Sequence, residues 1–157
     1  MSAQIIDGEI IAAKIKEKLA ADVEALKAAG RGPHLVALQA NDNAGSRIYV
    51  RSQQKSCEEI GIEYTIDEQP LDSTQEQLEA RIAELNADPS VTGIIIQMPL
   101  PAGCDSRTLQ ACIAPGKDAE GMCPANLGSV VLSCSEAALK RRGTPDDMDA
   151  WLAQSLE

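Results

Sequence analysis

Aromatic residues are nearly absent from this chain of 157 residues. They make up 2% of it, as one Trp and two Tyr without any Phe. A hydrophobic core must therefore be built almost wholly from aliphatic side chains, which are plentiful. The length is that of one ordinary domain, which can bury such a core without disulfides or a structural metal.

Positive charge is also scarce, since 14 Lys and Arg face 24 Asp and Glu and leave a formal net charge of −10. Nucleic-acid binding requires clustered Lys and Arg, so a nucleic-acid partner is excluded. No apolar run approaches the roughly 20 residues of a membrane span. The N-terminal segment also lacks the apolar stretch of a signal peptide, so we expect a cytoplasmic protein with no membrane partner.

The sequence has no Cys-x-x-Cys pair, and its five cysteines are an odd number. This usage is typical of reduced thiols in a cytoplasm rather than of a disulfide framework. The single histidine, His34, does not combine with the cysteines into a zinc-ligand spacing. We therefore expect no metal site.

Helical and strand patterns alternate along the first two thirds of the chain. They predict three helices and three strands, over residues 8–29, 35–38, 46–60, 62–66, 73–85 and 91–96. Ser46 is the predicted N-cap of the second helix, and Gly61 suits the position just after it. Alternation of this kind predicts an α/β fold, a three-layer sandwich in which helices flank a mainly parallel sheet.

The first helix has apolar residues at helical spacing, and we expect them to form one buried stripe. They are Ile11, Ile15, Leu19, Val23 and Leu26.

Residues 99–128 are rich in Pro and Gly, with one short helix predicted near 106–113. They follow a buried strand, which is where open α/β sheets usually place ligands. Two more helices are predicted beyond, over 135–142 and from Thr144 onward. We divide the chain into a domain over residues 1–130 and a helical tail, residues 131–157, packed on it.

Three separated segments indicate the function. Their sequences are GSRIYVRSQQKSCEEIG at 45–61, DPSVTGIIIQMPLP at 88–101 and PGKDAEGMCPANLG at 115–128. In order and spacing they resemble the motifs of the tetrahydrofolate dehydrogenase/cyclohydrolase family, over roughly residues 5–130. The resemblance implies the folate-binding, catalytic domain of that family.

The residue types suit such a ligand. Tyr49 and Gln53 are four apart and share one helix face, and an exposed tyrosine can stack on a flat heteroaromatic ring, although a core tyrosine is the alternative. Gln97 ends a buried strand, where its carboxamide can pair with a catalytic group or a pterin edge, or be satisfied by the backbone. Acids in a loop, such as Asp118 and Glu120, can accept from pterin N–H groups or simply be solvated.

The resemblance implies a set of ligand-contacting positions, with Gln53, Gln97 and Glu120 at the catalytic ones. The set comprises Tyr49, Gln53, Ile96, Gln97, Met98, Pro99, Leu100, Asp118, Glu120 and Pro124. Three of the family's residues are replaced. Gln53 stands at the position of the catalytic lysine, Glu120 at that of an aspartate, and Cys123 at that of a histidine.

The family oxidises methylenetetrahydrofolate with a nicotinamide cofactor and hydrolyses the methenyl product to 10-formyltetrahydrofolate. This sequence contains no Gly-rich dinucleotide fingerprint after a strand, so we expect it to bind no cofactor and to lack dehydrogenase activity alone. Glutamine has no titratable proton with which to replace the lysine. Lys55 is two residues further along the helix, turned through about 200° from the Tyr49 face.

Three hypotheses therefore remain. The first is a folate-binding domain with reduced or no catalytic activity, a homodimer as in the family, that serves a methyltransferase or dehydrogenase partner. The second is a minimal cyclohydrolase, or a dehydrogenase part that another chain completes. The third is a structural or interaction protein that has lost folate binding.

Overall fold

The computed structural model describes the backbone of residues 7–140 and the side chains of residues 7–133. Helices and strands alternate as predicted. In chain order they are α1 (Gly8–Ala28), β1 (His34–Gln39), α2 (Ala44–Glu59), β2 (Glu63–Glu68), α3 (Gln75–Ala87), β3 (Gly93–Gln97), α4 (Ser106–Cys112) and α5 (Pro124–Lys140). No helix among the described residues is both long and apolar enough to cross a bilayer.

The three strands form one parallel sheet in the order β2-β1-β3. Gln39, at the end of β1, lies opposite Glu68 of β2 and Gln97 of β3, so all three strands end at the same edge. An isolated parallel bridge joins Ile94 to Asp118 and brings the loop before α5 alongside β3. The predicted α/β fold with a parallel sheet is confirmed.

Successive residues of each strand point to opposite faces of a sheet, and here they supply two separate cores. On one face, Val36 and Ile94 pack with α3 and α4. On the other, Ala37 and Ile95 pack with Val50 of α2. Both cores are aliphatic apart from Tyr64, which is only 8% exposed. The helices therefore form a layer on each side of the sheet.

Helix α2 begins two residues earlier than predicted. The side chain of Asn43 accepts from the backbone N–H of Ser46 at 3.1 Å, so Asn43 is the N-cap and Ser46 lies in the first turn. The prediction of Ser46 as the cap was wrong because Asn caps as well as Ser does. The predicted end is confirmed, since Gly61 follows the helix with a φ of 82°.

The predicted buried stripe of α1 is also wrong, because of that set only Val23 is buried. Ile11 and Ile15 are 48% and 53% exposed. Helix α1 contacts the body of the protein through its C-terminal half, where Val23 lies beside Gly61, and through an ion pair of 2.6 Å between Lys16 and Glu59. The spacing of these apolar residues therefore identifies a helix but does not show which of them are buried.

The largest difference from the sequence prediction lies after the sheet. Helix α5 begins at Pro124, where the sequence predicted loop as far as Gly128. Proline suits the first turn of a helix because its missing N–H would have no partner there. The helix is continuous through residue 130, at which we divided the chain. The helix predicted from Thr144 lies outside the described residues, and the packing of the tail stays a prediction.

The core facing α3 can be tested with matched leucine substitutions. Leu78 is completely buried, whereas Leu71 in the preceding loop is 56% exposed. We expect Leu78→Ala to lower the free energy of unfolding by about 2–5 kcal/mol, since it leaves a cavity. Leu71→Ala should change it by less than about 0.5 kcal/mol. Urea denaturation measures both, and equal losses would contradict the described packing.

Candidate functional site at the carboxyl edge of the sheet

A cavity of about 310 Å³ opens at the edge where the strands end. Its walls come from the first turns of α2, from the end of β3 and from the turn before α5. The lining residues are Gly45, Ser46, Tyr49, Ile96, Gln97, Met98 and Glu120. Parallel α/β sheets place ligands at this edge because the loops after the strands diverge there.

The end of β3 supplies the floor of the cavity. Ile96 and Gln97 are 5% and 6% exposed, whereas Met98 is 43% exposed. The loop after β1 holds this strand end in place, since Asn41 donates from its side chain to the carbonyl oxygen of Pro99 at 2.9 Å. Gln97, the last residue of an otherwise apolar strand, therefore contributes a polar side chain to the cavity.

Gln53 joins the elements that frame the cavity through three hydrogen bonds. Its Oε1 accepts from the hydroxyl of Tyr64 and from Nε2 of Gln97, both at 3.1 Å. Its Nε2 donates to the hydroxyl oxygen of Tyr49 at 3.2 Å. Gln53 is not itself among the lining residues, but it supports two that are. The side chain at this position therefore acts as a neutral connector between α2, β2 and β3.

Tyr64 is one of the site residues that sequence reasoning missed. Burial first, and then the nearby Cys57 and Tyr49, raise the pKa of Tyr64 to about 12. Its hydroxyl therefore keeps its proton at neutral pH and remains a donor to Gln53. A signal was present, because a tyrosine on the inward side of a strand usually requires a partner for its O–H.

The two acids of the loop have different surroundings. Oδ2 of Asp118 accepts from the backbone N–H of Cys123 at 2.8 Å and from Nδ2 of Asn126 at 3.0 Å. Burial acts to raise the pKa of Asp118, but these hydrogen bonds outweigh it and hold the pKa below its usual range. Asp118 thus fixes the turn that leads into α5 and does not line the cavity.

Glu120 lines the cavity. Desolvation at this position, and then the charge of Asp118, raise the pKa of Glu120 above its ordinary value. An acid without compensating donors keeps its acceptor capacity for a ligand. Glu120 is therefore the ionisable group best placed to meet one.

Ser46 carries an unpaired hydroxyl beside the same cavity. The residue is 9% exposed, and its Oγ has no hydrogen-bond partner within the described part of the chain. An unsatisfied buried polar group costs about 1–3 kcal/mol, so a ligand atom that bonds to it would gain correspondingly. This hydroxyl was predicted as a helix cap and is instead a candidate ligand contact.

Five predicted ligand contacts lie away from the cavity lining, and one of them is Gln53, which lies behind it. Asp118 is held in the turn, Pro99 is exposed beside the lining residue Met98, and Leu100 packs against the core that faces α3. Pro124 lies in a separate crevice of about 570 Å³ between α4 and α5. Lys55 is exposed and takes no part in the hydrogen bonds of Gln53.

The raised pKa of Glu120 predicts that ionised Glu120 destabilises the folded protein. The unfolded carboxyl ionises near 4.5 and the folded one only at higher pH, so the contribution of Glu120 to stability falls as pH rises through that window. We expect Glu120→Gln to raise the thermal unfolding midpoint at pH 7 but to leave it unchanged below that window. Scanning calorimetry at both pH values measures the difference.

Glu76→Gln is the matched control. Hydrogen bonds from its own backbone N–H and from Thr74 lower the pKa of Glu76. Its contribution to stability is therefore present above the ordinary pKa and is lost as pH falls through the lower folded value. This substitution should lower the midpoint at pH 7, and the same sign of change for both variants would contradict the assignment.

Comparison with known proteins places these features in a family. The family model for the tetrahydrofolate dehydrogenase/cyclohydrolase catalytic domain matches residues 6–120. A bifunctional protein FolD of Anaeromyxobacter dehalogenans is 45% identical over 141 residues, covering 90% of this chain and 49% of that protein. FolD of Oleidesulfovibrio alaskensis is 41% identical over 129 residues, covering 82% and 45%. The chain spans about half the length of these relatives.

Solved structures agree. The bifunctional FolD of Campylobacter jejuni superposes with a TM-score of 0.78 at 38% identity, covering 80% of this chain and 45% of that one. A methylenetetrahydrofolate dehydrogenase of the silkworm Bombyx mori superposes with a TM-score of 0.80 at 32% identity, covering 83% and 46%. By sequence and by fold, the chain belongs to the tetrahydrofolate dehydrogenase/cyclohydrolase family.

Proposed function

We propose that this chain is a folate-binding domain of one-carbon metabolism with reduced or no catalytic activity. It holds tetrahydrofolate, or its methylene or methenyl derivative, in the cavity at the carboxyl edge of the sheet. The observation that carries the proposal is the neutral Gln53 at the family's lysine position, bonded to two residues that line the cavity. Replacement of the lysine by Gln53 affects catalytic turnover more than folate binding.

The cavity has the groups that a pterin needs. The ring of Tyr49 is 58% exposed and offers a face for stacking. The carboxylate of Glu120 can accept from the amino and ring N–H groups, and the unpaired hydroxyl of Ser46 can bond to a further polar atom. Met98 supplies apolar contact. Together these would orient a flat, polar-edged ligand.

Proton transfer is what the site has lost. Hydrolysis of a methenyl folate needs a group that exchanges a proton or stabilises charge as water attacks. The amide of Gln53 does not titrate, and the pKa of Tyr64, about 12, keeps that hydroxyl protonated. Glu120, with its raised pKa, is the group that favours the second candidate function, a weak cyclohydrolase.

The proposal also covers the nicotinamide cofactor and the partner proteins of this domain. We infer that it supplies no nicotinamide site, because no Gly-rich dinucleotide turn follows a strand among the described residues. Oxidation of a bound folate would then need a nicotinamide site from outside this domain. We also propose a cytoplasmic homodimer that delivers the folate to a methyltransferase or dehydrogenase partner.

Isothermal titration with tetrahydrofolate tests the binding. We expect saturable binding that Tyr49→Ala weakens by about two- to tenfold, because ring stacking contributes about 0.5–1.5 kcal/mol. Ile48→Ala is the control, since Ile48 is on the same helix, is 71% exposed and does not line the cavity. An absence of binding at high micromolar ligand would overturn the proposal.

Activity measurements test the loss of turnover. Wild-type protein should hydrolyse methenyltetrahydrofolate little faster than buffer does, and Gln53→Lys should raise the rate by about 10²-fold, the usual contribution of one positioned acid or base. Ser52→Lys adds the same charge at an exposed position of α2 and should have no effect. Efficient hydrolysis by the wild type, abolished in Glu120→Gln, would instead establish the weak cyclohydrolase as an active enzyme.

A further inference from the structure

The cavity has an unbalanced charge. Among its lining residues, as far as the structure describes them, Glu120 is the one acid and none is Lys, Arg or His. Asp118 lies close enough for its charge to act on Glu120. The cation of the same loop is engaged elsewhere, since Nζ of Lys117 donates to the carbonyl oxygens of Leu85 at 3.0 Å and Asp88 at 2.6 Å. A ligand in the cavity therefore meets negative charge.

The network behind the cavity adds no positive charge. Gln53, Gln97 and Tyr64 are joined by hydrogen bonds between neutral groups. Two donors already meet Oε1 of Gln53, and its Nε2 is bonded to Tyr49. An ammonium group in place of this amide would lie within reach of the Tyr49 hydroxyl and would repel a cation bound against that side chain.

Folates differ in charge at their one-carbon centre. Tetrahydrofolate and its methylene and 10-formyl derivatives are neutral there, whereas the methenyl bridge, N–CH=N⁺, is a delocalised cation. We propose, on the basis of the function proposed above, that this cavity selects the methenyl cation over the neutral folates. Glu120 supplies the opposite charge, and the absence of a lysine at position 53 removes the opposing one.

Two physical contributions favour the cation. Glu120 is exposed, but opposite charges near a protein surface still attract more strongly than they do in bulk water. The exposed face of Tyr49 can also accept a cation against its ring. Neutral folates would keep stacking and hydrogen bonding but would gain neither contribution. The difference between the two ligand classes is therefore electrostatic.

Selection of the cation has a thermodynamic consequence. The methenyl cation adds one water to form the 10-formyl compound and releases one proton. A protein that binds the cation more tightly than the product shifts this equilibrium toward the cation by the ratio of the two affinities. The shift holds whether or not the protein alters the rate, so this chain would act as a store that protects the methenyl form.

The experiment measures the methenyl absorbance at equilibrium, at one fixed pH near neutrality, as the full chain is titrated into a methenyl and 10-formyl mixture. We expect the ratio of methenyl to 10-formyl compound to rise about tenfold at saturation, as one opposite-charge contact would give. Titration calorimetry with tetrahydrofolate under the same conditions reports binding of a neutral folate.

Two variants and one control sharpen the result. Glu120→Gln removes the charge without burying a new one. It should weaken binding of the methenyl compound by more than it weakens binding of tetrahydrofolate, which loses only hydrogen bonds, and it should return the ratio to its value without protein. Gln53→Lys should do the same. Ser52→Lys adds an exposed cation to the same helix and should retain the wild-type ratio.

The outcomes separate the two proposals. Binding of tetrahydrofolate without a shift in the ratio, or a shift that persists in Glu120→Gln, would overturn the selection and leave folate binding intact. If neither the neutral folate nor the cation binds, the proposed function is wrong and the selection is overturned with it.

Discussion

The hydrogen bonds of one amide, Gln53, hold the candidate site together. They connect the helix that carries Tyr49, the strand that carries Tyr64 and the strand that ends at Gln97. Each partner depends on the amide in a different way. The buried phenol of Tyr64 needs an acceptor, the buried Gln97 needs a partner for its donor, and Tyr49 is positioned for the cavity. Position 53 therefore determines the geometry of the site as well as its charge.

The parallel register of the sheet makes this connection possible. Because all three strands end at one edge, the loops after β1 and β3 and the start of α2 meet there. Asn41 ties the first of these loops to the end of β3, and the bridge at Ile94 brings the acidic turn alongside. Residues far apart in the chain thus form one small cavity. The fold contributes position, whereas the few polar side chains contribute chemistry.

Much of this organisation could be predicted from the sequence. Alternating patterns predicted the order of helices and strands. The family resemblance implied a set of ligand contacts, of which Tyr49, Ile96, Gln97, Met98 and Glu120 line the cavity. The fold prediction is confirmed because local periodicity and strand ends are encoded within short segments, whereas contact of these side chains with a folate stays a prediction. The apolar stripe of α1 was misjudged, because periodicity reports a helix face without reporting what covers it.

The remaining errors concern contacts between distant segments. The role of Tyr64 depends on a partner 11 residues away on another element. Asp118 was expected to meet a ligand, but it accepts hydrogen bonds from Cys123 of its own turn and from Asn126 of α5. A short sequence segment does not show whether a carboxylate will accept hydrogen bonds from the protein itself or from a ligand. Only the folded arrangement determines which of two neighbouring acids serves the backbone and which serves the cavity.

The opposite surroundings of Asp118 and Glu120 set the order in which these acids take up protons. The pKa of Glu120 is raised and that of Asp118 is lowered, so acidification neutralises Glu120 first. At that stage the hydrogen bonds of Asp118 still hold the turn in place. Mildly acidic pH would therefore neutralise the carboxylate of Glu120 before it disrupts the loop that Asp118 holds. A cation of the proposed kind could leave, and return on neutralisation, without this loop having to refold.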